Sequence, residues 1–156
     1  MTLYVVRHAH AGSRASWDGP DRDRPLSATG RKQAAALAGL LVDARVTHLV
    51  SSPTARCTET LEPAATSLSL AITTDARLLE GADVEGTLEL ADELRSRGAV
   101  AALCSHGDVI PELLRSLVAT GTRFTDPLVW PKASTWVITS TDGAWTTARY
   151  IAPPEI

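Results

Sequence analysis

Aromatic side chains are scarce, with Phe, Trp and Tyr making up 4% of the 156 residues although 44% of the chain is apolar. A core so poor in rings and so rich in Ala, Leu and Val suits helices packed on a sheet and argues against an aromatic-rich β-sandwich. Cysteine is equally rare. Cys57 and Cys104 are the only two, and without secretory features they read as reduced thiols of an intracellular protein. Positive charge is in deficit: a net charge of −3 gives no global field for nucleic acid, so any anion must be held by a few cations gathered locally. Met1 to Val6 is too short an apolar stretch for a signal peptide or a membrane span, which places the expected protein in the cytoplasm and off membranes. Neither an internal repeat nor a low-complexity tract divides the chain, and its 156 residues fit one domain over 1–156.

What is present is an alternation of strand and helix signals. Leu3–Val6 is apolar and β-branched, a buried strand ending abruptly at Arg7-His8. The polar stretch from Gly12 to Pro25 follows as an ordered loop. Ser27 then caps a helix over Arg31–Leu41, where Ala34, Leu37, Leu40 and Leu41 recur at helical spacing. A strand over Val46–Val50 leads to a helix over Arg56–Thr66, with Pro53 in its first turn. A weaker strand, Leu70–Thr74, precedes a helix over Val84–Arg97 that stops at Gly98. Ala99–Leu103 is a very apolar strand, and beyond it Pro111 sits in the first turn of a helix over Val109–Ala119. Ser134–Thr139 and Trp145–Ile151 flank Asp142-Gly143, the signal of a closing hairpin. The expected fold is an α/β three-layer sandwich with a mostly parallel sheet.

In such sheets ligands gather beyond the carboxyl ends of the strands, where loops and helix N-termini converge. Three of these strands end in polar signals: Arg7-His8, Ser51-Ser52 through Arg56, and Ser105-His106-Gly107. The topology would bring them to one edge. Guanidinium forks, imidazoles and helix N-termini together suit a phosphoryl group. The neighbouring cations should lower the pKa of His8, keeping its ring neutral and nucleophilic.

Four ordered blocks carry a resemblance: Leu3-Tyr4-Val5-Val6-Arg7-His8-Ala9, Pro25 to Ala34, Ser51 to Thr60, and Ser105-His106-Gly107. Together they resemble the histidine phosphatase superfamily, the phosphoglycerate mutase-like group, over residues 3 to 140. The resemblance implies that His8 becomes phosphorylated, that Arg7, Arg56 and His106 hold the phosphoryl oxygens, and that water hydrolyses the phosphohistidine without metal or cofactor. The short, uncapped chain is most similar to the compact protein-phosphohistidine phosphatases and to the phosphatase-like domain that follows some Nudix hydrolases. The first likeness implies a phosphorylated protein as substrate, the second a small phosphorylated metabolite or nucleotide. A reading of another class is an inactive module that binds a phosphorylated ligand.

Ala9 stands where the superfamily usually has Gly, and His10-Ala11-Gly12-Ser13-Arg14 lacks its usual Asn. Ser13, Arg14 and Gly107 are read as substrate-binding, and Arg14, Arg22 and Arg24 as candidates for a second phosphate or an acidic partner. Glu80, in Leu78-Leu79-Glu80-Gly81, is the chosen proton donor, with Asp83 and Glu85 as rivals. His10 completes a His-x-His spacing with His8, but no acidic or cysteine cluster joins it, so no metal is expected. Trp17 reads as an anchor of its loop, and His48, Trp130, Trp136, Trp145 and Cys104 as structural.

Overall fold

Alternation along the strands decides which face each residue serves. The computed structural model describes residues 1–156, with strands β1 (Thr2–Arg7), β2 (His48–Ser51), β3 (Ile72–Thr74), β4 (Val100–Ser105), β5 (Arg123–Phe124), β6 (Thr135–Thr141) and β7 (Ala144–Ile151). The helices are α1 (Ala28–Asp43), α2 (Ala55–Leu68), α3 (Val84–Ser96) and α4 (Val109–Ala119). Leu3 and Val5 of β1 and Ala101 and Leu103 of β4 bury against Leu90 and Leu94 of α3 and Ile110, Leu113 and Leu114 of α4. Ala102 and Cys104 of β4 face the other way, onto Ala38 and Leu41 of α1 and Cys57 and Leu61 of α2. The result is the expected three-layer sandwich. No helix is long and apolar enough to cross a membrane.

The sheet order is β3-β2-β4-β1-β6-β7-β5. β3, β2, β4 and β1 run parallel, whereas β6 pairs antiparallel with β1 and β7 antiparallel with β6. Asp142 and Gly143 both have positive φ, 52° and 77°, which gives the hairpin its tight turn. In register, Arg7 pairs with Ser105, and Ser51 with Cys104. The functional ends of three strands therefore lie side by side at one edge.

Several element ends differ from the sequence expectation. Ser27 accepts from the Gly30 amide at 3.0 Å as an N-cap, but α1 begins at Ala28 and runs to Asp43. Pro53 lies outside α2, because Thr54 takes the N-cap position. Pro63 sits within α2, where its ring supplies no amide to the helix. Leu70 and Ala71 are not part of β3, because the left-handed Ser69 (φ 54°) ends α2 and the chain must turn before it can pair. The two-residue β5, parallel to β7, has no periodicity from which to read it.

Gly30 explains a close approach. It is buried in the first turn of α1 beneath the segment that follows His8, and a Cβ there would collide with the His10 carbonyl. Gly30→Ala is expected to destabilise the protein by about 2–4 kcal/mol, measured as a shift of the urea midpoint. An unchanged midpoint would show that this contact is slack.

Candidate active site

β1 delivers Arg7 and His8 to the sheet edge, and the following backbone is pinned there. The His8 amide donates to the Ser105 carbonyl at 3.1 Å, and the Ala133 amide donates to the Arg7 carbonyl at 3.1 Å. Ala9 is fully buried, its amide donating to Thr60 Oγ1 at 3.0 Å, while that hydroxyl donates to the Arg56 carbonyl. Thr60 thus ties the His8 segment to the first turn of α2, which carries Arg56. Two neighbours in the same block act similarly: Glu59 accepts from the Leu26 amide at 3.2 Å, and Ser52 Oγ lies 2.9 Å from His106 Nε2.

His8 is 6% exposed. Its Nδ1 lies 2.8 Å from the Ala9 carbonyl oxygen. A carbonyl only accepts, so Nδ1 carries the hydrogen and the neutral ring leaves its lone pair on Nε2. The pKa of His8 is lowered to about 3, first by burial, against the bond to Ala9, and then by His106, Arg56 and Arg7. The neighbouring cations act in the expected direction, but desolvation leads. His106 meets His8 edge to face, with ring centroids 5.5 Å apart. It is almost fully buried, and Arg56 Nη2 donates to its Nδ1 at 3.4 Å, so the ring forms the back of the site.

Arg7 donates through Nη1 to the Trp130 carbonyl at 2.9 Å, and its guanidinium lies beneath Gly107. A Cβ on Gly107 would stand 2.7 Å from Arg7 Cζ and Nη2. The Nε–H groups of Arg7 and Arg56 are buried without a hydrogen-bond partner, a cost that folded proteins mostly avoid outside functional sites. Arg56 is 1% exposed; its Nη1 reaches Asp21 Oδ2 at 3.2 Å and its Nη2 reaches Glu80 Oε2 at 3.6 Å.

Arg7, His8, Arg56 and Gly107 line a polar cleft of about 670 Å³ together with Ser13, Arg14 and Glu80, whereas His106 lies behind His8 and does not line it. Glu80 is placed by its loop, where the Gly81 amide donates to Asp108 at 2.7 Å. Asp83 and Glu85 sit in another depression, at the start of α3. Of the three loop arginines, Arg24 and Arg14 line the cleft, whereas Arg22 is exposed and does not. Lys132 completes the wall, which was not expected, since residues 125–134 carry no periodicity and no motif; Trp130 also borders the cleft, while its ring packs on the core and beneath Arg115, as its structural reading expects. Trp17 Nε1 donates to the Pro20 carbonyl at 2.9 Å, anchoring its own loop away from the cleft. His10 Nδ1 turns to Ser27 Oγ at 2.6 Å while His8 Nδ1 turns to Ala9, so the two rings of the His-x-His pair address different partners. Both thiols are free and buried, and Cys57 Sγ lies 3.6 Å from His106 Nε2.

The profile of the histidine phosphatase superfamily (branch 1) matches residues 3–91. A protein of Mycolicibacterium smegmatis named 8-oxo-(d)GTP phosphatase is 36% identical over 165 aligned positions, covering 99% of this chain. The chain spans about half of that relative, 49% of its length. Among solved structures, the protein histidine phosphatase SixA complexed with tungstate superposes with a TM-score of 0.79 at 22% identity, covering 98% of this chain and 97% of that one. A putative phosphohistidine phosphatase SixA from Nakamurella multipartitia gives a TM-score of 0.71 at 26% identity, covering 97% of this chain and 93% of that one.

Two outcomes follow from this geometry. Gly107→Ala should push the Arg7 guanidinium aside and weaken competitive inhibition by inorganic phosphate roughly tenfold or more; an unaltered inhibition constant would separate Arg7 from anion binding. His8, with its folded pKa at about 3 against an ordinary 6.5, leaves the unfolded chain holding the extra proton between those values. Its contribution to stability therefore falls as pH drops through that window and is flat above it. Urea unfolding at about pH 4.5 and about pH 7 should show a smaller pH effect in His8→Asn than in the wild type, and equal effects would contradict the burial argument.

Proposed function

The chain belongs to the histidine phosphatase superfamily (branch 1), and from that premise we propose that it hydrolyses phosphoryl groups with His8 Nε2 as nucleophile. One observation carries the reading: Nδ1 is committed to the Ala9 carbonyl, so the Nε2 lone pair is left in a ring kept neutral by burial, within a cleft lined by guanidinium groups. In this scheme Nε2 forms a bond to phosphorus while the bond from phosphorus to the leaving group breaks. Arg7 and Arg56 hold the oxygens of the transferred group, with His106 behind it, and Gly107 gives Arg7 the room to lie flat. Water then attacks phosphorus, the Nε2–P bond breaks, and inorganic phosphate leaves with His8 neutral again. Glu80 is the carboxylate within reach of the leaving group, and Ser13 and Arg14 reach the substrate beyond it.

Two substrate readings have separate support. An open cleft with no inserted cap admits a large substrate, which favours a phosphohistidine on a protein, as in the SixA structures of the same fold. Identity of 36% to a nucleotide phosphatase across 99% of this chain favours a nucleotide or another small phosphorylated metabolite. The chemistry at His8 is common to both.

Radiolabelled phosphoramidate tests that chemistry. Rapid quench in base should trap phosphate on the wild-type protein, stable to alkali and lost in acid, whereas His8→Ala takes up none. Turnover should persist in a chelator. An unlabelled wild-type protein that binds phosphate tightly would mark a binding module instead.

A further inference from the structure

The cleft holds more cations than one phosphoryl group needs. Arg14, Arg24 and Lys132 line it alongside Arg7 and Arg56. Arg24 is 7% exposed, its Nε bonded to Asp21 at 2.9 Å and its Nη1 to the Gly12 carbonyl at 2.6 Å, which leaves Nη2 without a protein partner. Arg14 is held at the mouth by Asp21 at 3.3 Å and Glu80 at 3.4 Å. Lys132 has no carboxylate within ion-pair distance. Its pKa is lowered, first by burial and then by Arg7, Arg24 and Arg56. An ammonium sharing one cleft with Arg7, Arg24 and Arg56 is unfavourable until an anion joins it.

Asp21 keeps this group assembled. Its single carboxylate touches Arg14, Arg24 and Arg56, yet it is not among the residues lining the cleft. It therefore aims three guanidiniums from behind and leaves the space in front of them open.

We propose, building on the His8 reading, that Arg14, Arg24 and Lys132 form a second anion subsite, one phosphoanhydride link beyond the transferred phosphoryl, and that the substrate is a diphosphate ester. The step balances without an acid. As His8 Nε2 bonds to the terminal phosphorus, the bridging P–O bond breaks and its electron pair stays on the departing monophosphate, whose new charge the outer cations receive. Both Glu80 oxygens accept from Arg14 Nη2, at 3.4 and 3.5 Å, and Oε2 also pairs with Arg56 at 3.6 Å, an arrangement that orients those two side chains and that a leaving group needing no proton can use.

ADP and AMP differ in the second phosphate and hence in the leaving group, so the change in their relative phosphate release on substitution of the outer cations measures the subsite. The wild-type protein should favour ADP by roughly tenfold or more in kcat/KM. Lys132→Met and Arg14→Gln should each lower the ADP-to-AMP ratio by roughly fivefold or more, and the exposed Arg14 gives a readout should Lys132→Met fold poorly. Asp21→Asn should lower the same ratio, and Asp21→Glu should recover part of it. Label on His8 together with equal or inverted use of ADP and AMP, or with variants that slow both alike, overturns the second subsite and leaves the nucleophile standing. A wild-type protein that takes up no label overturns both.

Discussion

Five cationic side chains share one cleft, and the rest of the site depends on how their repulsion is contained. Asp21 and Glu80 do this from the periphery, each bridging two or more guanidiniums. Backbone carbonyls take up further donors, Trp130 from Arg7 and Gly12 from Arg24. What remains uncompensated is directed into the cleft that His8 lines, with the His106 ring packed behind it. On the proposed reading, charge that would destabilise a folded protein elsewhere is held here for a visiting anion. Burial keeps the His8 ring from adding to it.

The sheet makes this arrangement inexpensive to build. Parallel pairing of β1, β4 and β2 sets Arg7, Ser105 and Ser51 at neighbouring strand ends, so side chains from positions 7, 56 and 106 converge without a long loop. Small residues then set the spacing. Gly30 lets α1 approach the His10 carbonyl, and Gly107 lets the Arg7 guanidinium lie beneath the turn after β4. Thr60 and Ser52 lock the parts together through the Ala9 amide and the His106 ring.

Much of this was legible in the sequence because the signals were local. An apolar run that stops at Arg7-His8, a Ser27 cap and an Asp-Gly turn each reflect physics within a few residues. The fold class and the inner residues followed from where such runs end. Long-range pairing was not legible. Nothing in Asp18 to Arg24 says that Asp21 faces three arginines while Arg22 faces solvent, or that Lys132, far along the chain, takes the place expected of Arg22. The leading part played by burial at His8 was equally hidden, since desolvation depends on the packing of every neighbouring element.

On the proposed reading, His8 Nε2 faces an oxyanion site built by Arg7, Arg56 and His106. A crystal structure of the protein with vanadate, which adopts the five-coordinate geometry of phosphoryl transfer, tests it most directly. Vanadium should be bonded to His8 Nε2, with its equatorial oxygens on Arg7 and Arg56 and beside His106. Vanadate bonded to another residue, or bound with no bond to His8, would contradict it.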